Sequence, residues 1–130
     1  MPSLSTDDRL QLHELAARYG NTLDARDWDR FATCFTADCY YELAGFGRLD
    51  QVIVGVQALR EYMEHSAGHP TAHHVTNVEI DGTGDDVRMF SKIVGTLPQG
   101  LAGSADYNDI VMRTADSWRI ARRIVTLRRS

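Results

Sequence analysis

The sequence predicts an α+β fold, with three helices in the N-terminal half packed on one face of a strongly curved, mainly antiparallel sheet. Three observations carry this. Helical periodicity is confined to the residues before Gly68, the apolar residues from Ala72 onward fall in strand-length runs, and clusters of Gly, Asp, Ser and Pro separate those runs. At 130 residues the chain has the length of one domain, spanning 1–130, and it carries no internal repeat, linker or low-complexity tract.

Ser5, with Asp8 three residues on, has the form of a capping box, and Leu12, Leu15, Ala16, Tyr19 and Leu23 then recur at helical spacing. This first helix delivers Asp24 at its end. Asp27 has the chemistry of an N-cap for a second, shorter helix whose buried stripe is Trp28, Phe31, Ala32 and Phe35, and which stops at Thr36-Ala37-Asp38. From Cys39 to Phe46 the texture is that of a strand, and a loop through Arg48, Leu49 and Asp50 leads into the apolar Val52-Ile53-Val54. Gly55 opens a third helix, buried through Val56, Leu59, Tyr62 and Met63, which runs out in the loop Gly68-His69-Pro70. A meander of long strands follows, Ala72 to Ile80, Val87 to Thr96, Ala105 to Arg113 and Trp118 to Leu127.

Composition excludes several classes of function. The 43% hydrophobic and 25% charged content is that of a soluble globular protein, and no apolar run approaches a membrane span. The N-terminus lacks the basic-then-apolar form of a secretory signal, so a cytoplasmic protein without membrane association is expected. With 14 Lys+Arg against 18 Asp+Glu the net charge is -4, which argues against nucleic acid as a partner. Arg119, Arg122, Arg123, Arg128 and Arg129 cluster near the C-terminus and read as a solvated strand edge. Cys34 and Cys39 read as small buried hydrophobes in a reducing compartment. No CxxC or HExxH spacing is present, Gly45-Phe46-Gly47 lacks the helix that a phosphate loop requires, and there is no GxSxG elbow. Neither a metal nor another cofactor is expected.

A sheet curled around a short helical layer encloses a cone whose mouth can hold a small, largely apolar molecule. In the strand from Ala72, His73, Val75 and Asn77 share one face, and His74, Thr76 and Val78 the other. Alternation alone does not decide which histidine faces inward, because each set mixes apolar with polar members. Asp24 is the second signal. A carboxylate at a helix C-terminus opposes the helix dipole, so it either caps the next helix or faces a cationic partner. Against an inward histidine it would fix the tautomer and stabilise the imidazolium, which makes a proton-transfer group. Tyr19, and one of Tyr40 and Tyr41, offer hydrogen-bond donors. Arg123 could meet a developing negative charge, provided that Arg122 faces the opposite way. Ser91 and Asn108 are polar strand positions able to orient a substrate.

Several stretches together resemble the SnoaL-like branch of the NTF2-like superfamily, a cone-shaped α+β barrel. They are Tyr19-x-x-x-Leu23-Asp24, Trp28-Asp29-x-Phe31-x-x-x-Phe35, Asp38 before the first strand, Gly55-Val56-Gln57-Ala58-Leu59, His73-His74-Val75-Thr76-Asn77, and Trp118-Arg119-Ile120. The likeness is greatest to the group containing scytalone dehydratase, bile-acid 7α-dehydratase and hexachlorocyclohexane dehydrochlorinase. The resemblance implies a cofactor-independent lyase or isomerase that removes a proton from a small hydrophobic substrate. It assigns the base to His73 rather than His74, the orienting carboxylate to Asp24, and supporting catalytic positions to Tyr41 and Arg123. Tyr19, Asn77 and Ser91 are the substrate-binding candidates beside them. Scytalone dehydratase carries a second pocket histidine on the following strand, and here Val87 to Thr96 has none. The superfamily also includes non-catalytic small-molecule-binding or assembly modules and dioxygenase small subunits. With one sheet face left uncovered by helices, self-association as a homodimer, or a trimer, is expected.

Overall fold

Ser5 opens α1 (Thr6–Ala25) through the capping box read from the sequence, its hydroxyl accepting from the Asp8 N–H while the Asp8 carboxylate accepts from the Ser5 N–H. The structure, a computed structural model, describes residues 3–66, 69–100 and 102–128, Ala102 by its backbone alone. Gly68, in the loop expected after the third helix, and Arg129, in the arginine cluster, lie outside the described residues. Asp8 also accepts from the Trp118 indole and pairs with Arg113, which ties the helix start to the sheet. Leu12, Leu15, Ala16, Tyr19 and Leu23 are buried, as their spacing predicts. The helix ends at Arg26, whose left-handed conformation turns its N–H onto the carbonyls of Leu23 and Thr22.

Asp27 caps α2 (Trp28–Ala32) by accepting from the Arg30 N–H. This helix is shorter than its apolar stripe predicts, because Phe35 already belongs to β1 (Phe35–Ala44). Sheet pairing takes the chain over at that point. Phe35 stands in register with Ile120, and the Ile120 N–H donates to the Cys34 carbonyl at 2.8 Å. Phe35 is buried all the same, with its ring 5.4 Å from that of Phe31, which is why it mimics a helical position. Gly47–Leu49 forms a short 3-10 turn, followed by β2 (Gln51–Val54) and α3 (Val56–His65). The meander is β3 (Ala72–Asp81), β4 (Val87–Thr96), β5 (Ala102–Arg113) and β6 (Trp118–Leu127).

The six strands form one curled sheet in the order β2-β1-β6-β5-β4-β3, antiparallel throughout except for the parallel pair β1 and β6. Since β2 and β3 lie at opposite edges, α3 and the residues after it carry the chain across the sheet. The three helices cover the concave face, and the core lies between the two layers. Two bulges bend the strands and reset their alternation. In β3, Thr76 pairs with Lys92 and Glu79 with Phe90, so three steps answer two. In β6, Ile110 pairs with Arg122 and Val111 with Ile120, so one step on β5 answers two on β6. Cys34 and Cys39 are both buried and unpaired, and burial raises both thiols, that of Cys39 to about 11. Among the described residues no helix is long and apolar enough to cross a membrane.

Candidate active site

Gly20 sets the geometry of the site. A Cβ at this position would lie 2.8 Å from the His73 carbonyl oxygen, so only glycine lets α1 approach β3 this closely. One helical turn later Asp24 reaches the same residue. Its carboxylate accepts from the His73 backbone N–H at 2.9 and 3.1 Å and meets the ring Nδ1 at 2.7 Å. Asp27, not Asp24, caps α2, and Asp24 turns to the histidine. The His73 side chain is 6% exposed and that of Asp24 is 23% exposed. With Nδ1 donating to the carboxylate, Nε2 carries the free lone pair of a neutral ring. His74 is exposed, on the other side of the strand.

His73 lines a cavity of about 350 Å³ whose walls are largely apolar, with Leu43, Phe46, Met63, Ile93, Val125 and Leu127 among them. Tyr19, Tyr41 and Tyr107 line the same cavity. The Tyr19 and Tyr41 oxygens are 3.0 Å apart. Burial, followed by the neighbouring Tyr19, raises the hydroxyls of Tyr41 and Tyr107 well above the ordinary tyrosine value. They therefore remain protonated at neutral pH, as donors and not as bases.

Arg123 does face inward, because the bulge at Ala121 turns Arg123 and Val125 toward the core and leaves Arg122 exposed over the Tyr40 ring. It does not reach the cavity. Its side chain is fully buried and bonded twice to the equally buried Asp109, at 2.8 and 2.9 Å. The guanidinium carbon lies 4.3 Å over Tyr19 and 3.9 Å over Tyr107, so the pair sits against the rings of two floor tyrosines. Burial alone would lower the Arg123 guanidinium, and the Asp109 carboxylate more than reverses this. The solvated-edge reading thus fails for Arg123.

Two of the predicted binding residues lie elsewhere. Asn77 is exposed with φ of 54°, because the bulge between Thr76 and Glu79 breaks the alternation that would have put it beside His73. Ser91 is fully buried opposite Tyr107 on the sheet but is absent from the cavity wall, and Asn108 is exposed. Three residues escaped the sequence reading. Tyr107 and Asp109 follow the period-2 pattern of β5, a usable signal, whereas His69 carries none beyond its place in a loop. It lines the cavity with its ring 5.1 Å from that of His73. Both histidines also line a second, more polar cavity of about 330 Å³ that contains Asp24, Arg26 and Trp28.

A family model described as a SnoaL-like domain matches residues 5–124. Uncharacterized proteins of Mycobacterium bovis and Mycobacterium tuberculosis are 28% identical over 129 residues, covering 92% of this chain and 84% of theirs. Among solved structures, a second Mycobacterium tuberculosis protein of unknown function is 32% identical, with a TM-score of 0.82 over 97% of this chain and 79% of that one. A cystatin-like protein of unknown function from Nostoc punctiforme has the same TM-score at 26% identity, over 99% of this chain and 97% of that one. At 19% identity, a candidate scytalone dehydratase (TM-score 0.71, over 96% and 89%) and a candidate aromatic-ring-hydroxylating dioxygenase β subunit (0.70, over 92% and 88%), both from Novosphingobium aromaticivorans, share the fold.

Proposed function

The chain belongs to the SnoaL-like domain family, and we propose from its site that it is a cofactor-independent lyase or isomerase acting on a small, largely apolar molecule. The observation that carries this reading is the 2.7 Å contact between His73 Nδ1 and Asp24 at the wall of an apolar cavity. In the mechanism, His73 Nε2 takes a proton from a substrate carbon. Asp24 holds the ring in the required tautomer and stabilises the imidazolium that forms. The electron pair left on carbon moves onto a neighbouring oxygen or expels a leaving group, and Tyr41, paired with Tyr19, donates a hydrogen bond to the charge that develops. Arg123 is a positioning residue here, holding Tyr19 and Tyr107 through their ring faces.

A ketone that fits the cavity tests the base without knowledge of the natural substrate. In D2O, 2-tetralone should incorporate deuterium α to its carbonyl faster with the wild-type protein than in buffer. His73→Ala should lower the catalysed rate about 10²- to 10⁴-fold. Equal rates for His73→Ala and wild type would remove His73 from the mechanism.

A further inference from the structure

We infer that His69 is a second ligand-contacting imidazole of this site, donating a hydrogen bond to an oxygen of the bound molecule next to the atom on which His73 acts. The inference rests on the reading of the cavity as a ligand site. His69 lies on the wall of both cavities, beside His73, with ring centroids 5.1 Å apart and planes inclined by 42°. Among the described residues neither of its ring nitrogens has a hydrogen-bond partner.

Its placement is built into the sheet. The Pro70 ring lies where a side chain on Gly95 would stand, 2.7 Å from that Cβ position, and Gly95 is in register with His73. The Thr71 N–H then donates to the Thr96 carbonyl at 2.7 Å. Pro70 and Thr71 therefore dock the chain on β4 and hold His69 against His73.

The charged and titratable groups around His69 are His73, Arg26 and Asp24. Burial, then His73 and Arg26, lower its imidazole to about 4, with Asp24 opposing. At neutral pH it is an uncharged ring with one N–H to give, which suits it to hold a carbonyl or hydroxyl oxygen while His73 gains a proton. The substrate class follows. The ligand carries an oxygen one or two bonds from the carbon that loses its proton, on a body of about two fused rings, since an apolar cavity of about 150 Å³ accepts a single benzene ring.

Two probes of nearly the same shape, 2-acetylnaphthalene and 2-ethylnaphthalene, test this by equilibrium binding to wild type, His69→Phe and His69→Gln. The wild type should prefer the ketone, and His69→Phe should weaken the ketone about tenfold while leaving the hydrocarbon unchanged. His69→Gln, which restores an N–H donor, should recover most of the loss. Equal losses of both probes in His69→Phe, or no loss of either, would overturn the inference and leave the base assignment to its own exchange assay. Failure of both probes to bind the wild type would overturn the cavity reading as well.

Discussion

The two ends of the cavity are built from opposite materials. At the mouth, the end that borders the polar annex, Asp24, His73 and His69 line that annex together, supplied by a helix end and by an edge strand with the loop before it. At the floor, Tyr19, Tyr41 and Tyr107 rest on a buried Arg123 and Asp109 pair whose side chains are both 0% exposed, and burial holds the Tyr41 and Tyr107 hydroxyls protonated. The contrast separates two jobs. A group that moves a proton has to change charge at low cost, so His73, only 6% exposed, is set against a carboxylate that solvent still reaches. Groups that receive developing charge act best when fixed and desolvated, so they sit in the core. The cost of the floor falls on folding, and that of the mouth on precise placement, as Gly20 demonstrates.

The largest expected effect breaks the floor. Asp109→Asn leaves the Arg123 charge buried without its partner and should cost about 3–5 kcal/mol, read by urea unfolding. The same substitution at the mouth, Asp24→Asn, should cost about 1 kcal/mol, because that carboxylate is reached by solvent. Equal costs would erase the distinction. The double variant Asp109→Leu with Arg123→Met should recover most of the floor's loss, since it removes both charges together.

A smaller effect sharpens the mouth. The folded His69 value of about 4 lies below that of an unfolded histidine, near 6.5, so between these pH values the unfolded chain binds a proton that the folded one does not. Stability that is full above about pH 6.5 is lost as pH falls toward 4. Wild type should therefore lose about 2 kcal/mol more than His69→Gln over that interval, and parallel curves for the two proteins would contradict the burial of a neutral ring.

Much of this architecture was legible in residue patterns, and the failures of strand alternation share one cause. The helices, the meander and the inward Tyr19 followed from period and capping. Strand alternation failed at the two bulges, where an added residue swaps the faces of a strand. Asn77 was turned outward by the first, and the second decided between Arg122 and Arg123. The meeting of His73 with Asp24 depended on a close helix approach at Gly20 that no local pattern reports. His69 was brought to the site by the docking of Pro70 on Gly95, a contact between segments far apart in the chain.

The most direct test of the central claim is the tautomer of His73, read by long-range proton–nitrogen correlation in the ligand-free protein with a neutral ring. The account predicts a proton on Nδ1, protected by Asp24 and lost from protection in Asp24→Ala, with Nε2 bare toward the cavity. A proton on Nε2 would contradict it, because the atom meant to accept the substrate's proton would already carry one.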